Sequence, residues 1–134
     1  MITEEERSQM IKNRLSQAEK CILDSTFCME NGKNEMAANR IYYGMFYAML
    51  SLGLLRRFET SKHQQMIGWF NKNFVHTDIF PRSFSKLVKK AFESRTNSDY
   101  QINQTPTTEN LESLLSDMKL FISTIKNWVQ TQQI

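Results

Sequence analysis

The chain has 134 residues, a formal charge of +3, 40% hydrophobic and 11% aromatic residues, and only four Gly and two Pro. That length matches one domain of roughly 100–150 residues with its own core, so residues 1–134 are read as a single domain. Six turn-forming residues are too few for a β-sandwich, which needs a turn signal about every 8–12 residues, and the apolar content excludes a disordered chain. Thr3 and Glu6 form a Thr-x-x-Glu capping box. Ile11, Leu15, Ala18, Ile22, Ser25 and Met29 follow at spacings of three and four, and Asn31-Gly32 is a stop signal. The first helix is therefore predicted at about 4–31. The second is predicted at about 34–57, with Ile41, Met45, Ala48, Leu52 and Leu55 as one stripe. Tyr43, Phe46, Tyr47, Leu50 and Leu54 fill most of its remaining surface. A helix apolar nearly all round is buried on several sides, so it is the central helix or lies partly in a subunit interface. Gly44 costs about 1 kcal/mol against Ala in a helix interior, which is either offset by close approach of another backbone there or a neutral accident.

Ser61 and Gln64 read as a second capping box opening a third helix at about 62–76, with Met66, Ile67, Phe70 and Phe74 inward. Thr77 to Pro81 is a connection. A fourth helix starts near Arg82, carries Phe84, Leu87, Val88, Ala91 and Phe92, and is expected to fade after Arg95. The polar stretch 97–107, which includes Pro106, reads as a loop. The fifth helix begins at Thr107 or Thr108 and runs to about residue 131 on Leu111, Leu114, Leu115, Met118, Ile122, Ile125 and Val129. No strand-like alternation stands out. The expected fold is all-α, an antiparallel up-and-down bundle of four to five helices.

Several chemistries find no support in the residues. The first seven residues lack the basic region and apolar run of a leader. The most apolar segment, 41–55, is shorter than the ~20 residues of a membrane span, so no membrane association is expected. Cys21 and Cys28 are seven apart; on one helix that is a rise of about 10 Å, too far for a disulfide. Buried thiols fit a cytoplasmic location. There is no Glu-x-x-His pair, no Gly-x-Ser-x-Gly elbow and no Gly-rich phosphate loop. No metal and no cofactor are expected.

Charge is concentrated instead. Residues 56–95 hold nine basic and three acidic side chains, a net +6, while the flanks carry −1 and −2. Arg82, Lys86, Lys89 and Lys90 recur at helical spacing. They form either a solvated helix face or an anion-binding surface. Beyond them comes Arg95-Thr96-Asn97-Ser98-Asp99-Tyr100. Arg95 can hold phosphate or carboxylate with two hydrogen bonds, Asp99 can orient it, and Tyr100 can donate or stack. The other reading is a helix end in which Arg95 pairs with Asp99 and meets no ligand.

Three blocks carry a family resemblance. Ala38 to Ala48, with Arg40, Tyr42, Tyr43 and Phe46, resembles the Arg-x-Tyr-Tyr-bearing helix of the prokaryotic HEPN superfamily. Ser61-Lys62-His63-Gln64, with Phe70 and Asn73-Phe74-Val75, is similar to its Lys-His helix, and Arg95 to Tyr100 to its Arg-x-x-x-Asp-Tyr signature. The resemblance implies a helical bundle, a symmetric homodimer, and pairing with a minimal nucleotidyltransferase encoded nearby as a toxin–antitoxin system. It implies Arg95, Asp99 and Tyr100 as catalytic candidates and Arg40, Tyr42, Tyr43 and His63 as binding candidates for nucleotide or RNA phosphate, to which the charge pattern adds Lys86, Lys89 and Lys90. Many members resemble metal-independent RNases that use an Arg followed within a few residues by a His. Here no His follows Arg95, and Tyr100 stands at that spacing. A phenol near pKa 10 is only ~0.1% ionised at pH 7. The functions left open are phosphate binding, RNA cleavage with His63 or His76 recruited from elsewhere, and a non-catalytic interaction module.

Overall fold

In the computed structural model, residues 1–100 and 106–132 are described, with the backbone alone for 97–100. Helix α1 spans Glu4–Glu30. Its first turn is closed as the sequence predicts: the Glu6 N–H donates to Thr3 Oγ1 and the Thr3 N–H to Glu6 Oε1, each at 3.0 Å. It stops at Asn31-Gly32, where Gly32 has φ +68°. The Lys33 N–H then donates to the Cys28 carbonyl at 2.8 Å, taking up a carbonyl the helix leaves orphaned. Helix α2 (Asn34–Arg56) follows, then α3 (His63–Phe70) with a π-helical turn over Asn71–Val75. Helices α4 (Ser83–Tyr100) and α5 (Thr108–Gln132) complete the bundle. No strand occurs among the described residues.

The four long helices alternate in direction. Arg7 at the start of α1 donates to the Leu54 carbonyl near the end of α2 at 3.0 Å. Phe92 and Arg95, late in α4, meet Tyr42, early in α2. Asn34 reaches the Pro106 carbonyl before α5, and Arg56 at the other end of α2 lies over Trp128 of α5, so α5 runs with α2. The short α3 lies along the second half of α2, with His63 on Phe46 and Met66 at Gly53.

Helix α2 is the central helix. Ile41, Met45, Ala48 and Leu52 are fully buried, and so is Tyr42. Gly44 fits by contact rather than flexibility. A Cβ there would come within 2.2 Å of the Met118 terminal methyl and 3.1 Å of Cys21 Cβ. The neighbours are thus side chains of α5 and α1, not the backbone that one of the two sequence readings expected. A second core layer is aromatic: Phe70, Phe74, Phe80, Phe84 and Phe121 have centroids 4.9–6.1 Å apart. Truncating one such ring typically costs about 3–5 kcal/mol.

Three expectations need correction. Ser61 and Gln64 do not form a capping box: α3 starts one residue late, Lys62 is its N-cap, and no side chain caps it. Thr60 serves nearby instead, its Oγ1 accepting the Lys62 N–H at 3.1 Å. The third helix is not uniform either. The π-turn, closed by the His76 N–H on the Asn71 carbonyl at 2.8 Å, lets Phe74 and the adjacent Val75 both face inward. Finally, the loop expected from residue 97 does not begin there, because α4 continues to Tyr100. Thr, Asn and Ser are only mildly unfavourable in a helix, extending a formed helix is easy, and neither Gly nor Pro intervenes before Pro106.

Candidate functional site

The site forms where α2, α3 and α4 meet. Tyr42 and Tyr43 are neighbours on α2 that diverge by about 100°. Tyr42 therefore enters the core, while Tyr43 is only partly buried at its edge. His63 is the first residue of α3. Its ring stacks on Phe46 with centroids 4.2 Å apart and planes within 8°. The Tyr42 hydroxyl and His63 Nδ1 share a hydrogen bond of 2.6 Å. Arg95 arrives from α4 with its guanidinium carbon 5.7 Å from the Tyr42 ring centre and 5.5 Å from that of Tyr43. Arg40 lies over Tyr43 at 5.2 Å. It also donates to Asn39 Oδ1 at 2.7 and 3.1 Å, and it approaches the Cys21 sulfur. Tyr43 is thus flanked by two guanidinium groups, a cation–π arrangement.

Burial sets the protonation states. It pushes the Tyr42 hydroxyl well above the ordinary phenol value, against the opposing pull of Arg95. Burial and then the Arg95 charge both lower the His63 pKa. Tyr42 is therefore a neutral phenol and His63 a neutral imidazole near pH 7. On α1, burial likewise raises the Cys21 thiol, and Cys21 and Cys28 are both free and buried.

Of the sequence candidates, the structure brings together Arg40, Tyr42, Tyr43, His63 and Arg95. It does not bring Lys86, Lys89 and Lys90 to them. At about 100° per residue these lysines point roughly 120–180° away from Arg95 around α4, and all three are exposed. They form a separate face. Arg82 pairs with Asp78 at 3.8 Å in solvent. The side chains of Asp99 and Tyr100 lie outside the described residues. Exposed His76 is four residues beyond Lys72, on the far side of the π-turn.

Phe46, which the sequence reading placed in the family block without a site role, and Phe92, which it treated as core, join this cluster. Phe46 carries the His63 ring, and Phe92 meets Tyr42 edge-on at 5.4 Å. The signal was available: Phe46 is four residues after Tyr42, and Phe92 three before Arg95, so each shares its partner's helix face. Among the described residues no group of three or more His, Cys, Asp or Glu could hold a metal ion, and no helix is long and apolar enough to cross a membrane.

The HEPN domain family matches residues 11–128 of the chain. A UPF0332 protein of Thermotoga maritima is 27% identical over 125 residues, which is 93% of this chain and 95% of that relative. Two proteins of Methanocaldococcus jannaschii are also similar. "Putative toxin MJ0142" is 25% identical over 124 residues, 92% of this chain and 84% of its own length. "Putative toxin MJ0605" is 27% identical over 109 residues, 81% of each.

Proposed function

The chain belongs to the HEPN-domain family, and from that premise we propose that it is a toxin-type HEPN protein that binds the phosphate of a nucleotide or RNA at Arg95. In this reading residues 1–134 act as a single domain in the cytoplasm. The two methanogen relatives named for toxins support the toxin assignment. The observation that carries the binding site is the convergence of Arg95, His63 and the Tyr42–Tyr43 pair from three helices. A guanidinium offers paired donors to phosphate oxygens, and the partly exposed Tyr43 sets a second polar side chain beside it. Asp99 and Tyr100, four and five residues further along α4, complete the set by sequence.

A minimal nucleotidyltransferase is the proposed protein partner, and a homodimer the proposed assembly. Leu23 and Phe27, one turn apart on α1 and 71% and 61% exposed, are apolar groups that such contacts would cover. Fluorescence anisotropy with labelled oligouridylate and with adenine nucleotides, over a salt series, tests the binding site. Arg95→Ala is expected to lose at least tenfold in affinity at low salt. Equal binding by the variant would remove the assignment. RNA cleavage in EDTA that disappears with Arg95→Ala would replace the binding reading with a nuclease.

A further inference from the structure

The Tyr42–His63 contact decides what kind of group the histidine is. Tyr42 is fully buried, and among the described residues its hydroxyl meets only His63 Nδ1. A buried hydroxyl hydrogen needs an acceptor. The lone pair of Nδ1 is the acceptor at hand, so Tyr42 donates and Nδ1 carries no hydrogen. A neutral imidazole then carries its single hydrogen on Nε2. The reverse arrangement, with Nδ1–H donating to the Tyr42 oxygen, would strand the Tyr42 hydrogen inside the protein. A doubly protonated ring would strand it too. It would also add a second cation beside Arg95 at the positive end of α3.

We propose that His63 is locked by Tyr42 as a neutral Nε2–H donor, and that it holds a phosphate oxygen beside Arg95 instead of accepting a proton. The proposal rests on the phosphate-binding reading above and specifies what the histidine contributes to it. Tyr42 is the positioning residue, acting through His63. The other face of the imidazole is fixed by its stack on Phe46. His63 and Arg95 sit against the same two rings: the His63 centroid is 5.6 Å from both Tyr42 and Tyr43. Among the described residues, the titratable and charged groups shown against His63 are Tyr42 and Tyr43 from α2 and Arg95 from α4. No carboxylate appears among the described groups that shift its titration. A histidine meant to take a proton is commonly supported by a carboxylate on its second nitrogen. Here the second nitrogen faces a phenol that gives a hydrogen.

Imidazole nitrogen NMR of the full chain tests the tautomer without any ligand. Nδ1 is expected to read as unprotonated and Nε2 as protonated. Tyr42→Phe, which keeps the ring packing, is expected to mix the two tautomers and to raise the His63 titration midpoint. A protonated Nδ1 in the wild type, or an unchanged tautomer in Tyr42→Phe, overturns the lock. Oligouridylate binding tests the donor. His63→Gln places an amide N–H near the Nε2 position and is expected to bind within about threefold of wild type. His63→Asn places it near Nδ1 and, like His63→Ala, is expected to lose about tenfold. Equal binding by all three, or rescue by Asn alone, overturns the donor role. If the wild type binds no phosphate ligand, the binding reading falls with the donor role, and the spectrum still decides the tautomer.

Discussion

Burial treats a phenol and an imidazole alike in one respect: each is held in its uncharged form. For Tyr42 and His63 this couples the site to stability. The His63 pKa in the folded chain is lowered from an ordinary value of 6.5. Above pH 6.5 both folded and unfolded chains hold a neutral His63, and the fold retains the full contribution of the contact. Below it, the unfolded chain takes up the proton first, so stability falls with pH until the lower folded-state pKa is passed. Thermal unfolding between pH 5 and 7.5 is therefore expected to show Tm dropping on the acid side for wild type, with a shallower drop for His63→Gln. Parallel curves for the two proteins would mean that His63 titrates alike in both states. The residue types of this site were legible in sequence, because Arg40, Tyr42, Tyr43, His63 and Arg95 lie in the blocks that resemble the family. The hydrogen bond was not. It joins residues 21 apart through the way α3 lies along α2, and no periodicity encodes that placement.

At the scale of the helices, ends matter more than middles. Helix α2 ends with the Phe58 N–H on the Gly53 carbonyl at 2.8 Å and the Arg57 N–H on Leu54 at 3.4 Å. That closure needs a left-handed residue, and Arg57 supplies it at φ 61°. A side chain there costs about 1 kcal/mol or more relative to glycine. Arg57 recovers part of this through its pair with Glu4 at the start of α1, but both side chains are well exposed, and such pairs contribute about 0–1 kcal/mol. Arg57→Gly is therefore expected to stabilise the protein by about 0.5–1 kcal/mol, read as a higher denaturant midpoint with an unchanged slope. Arg57→Ala keeps the strained φ and loses the pair, so it is expected to fall below wild type. If Gly and Ala behave alike, the strain is not felt. Ends also mark the limits of reading the chain. Thr3 with Glu6, Asn31-Gly32 and Thr107 all announced true ends, the last by accepting the Asn110 N–H at 3.2 Å. Ser61 with Gln64 has the same letters, but there the helix starts one residue later. The π-turn was invisible because Phe70 and Phe74 keep ordinary helical spacing.

The whole molecule distributes its charge by face as well as by segment. Within the +6 segment of residues 56–95, α4 carries two surfaces: Arg95 leans inward on Tyr42 and Tyr43, while Lys86, Lys89 and Lys90 face solvent on the opposite side. A helix with its side chains is about 10 Å across, so a ligand of one or two nucleotides held at Arg95 does not span both. On the proposed reading, a longer strand would reach both by passing around the helix. Each phosphate neutralised on a single strand contributes about 0.7 to the slope of log affinity against log salt. Replacing the three lysines by alanine is therefore expected to leave dinucleotide binding unchanged. For a long oligouridylate the same variant is expected to make the salt slope shallower by up to about 2. Arg95→Ala is expected to weaken both ligands. A dinucleotide that loses affinity in the lysine variant would place it on the lysine face, and the Arg95 cluster would then be a packing device at the meeting of three helices.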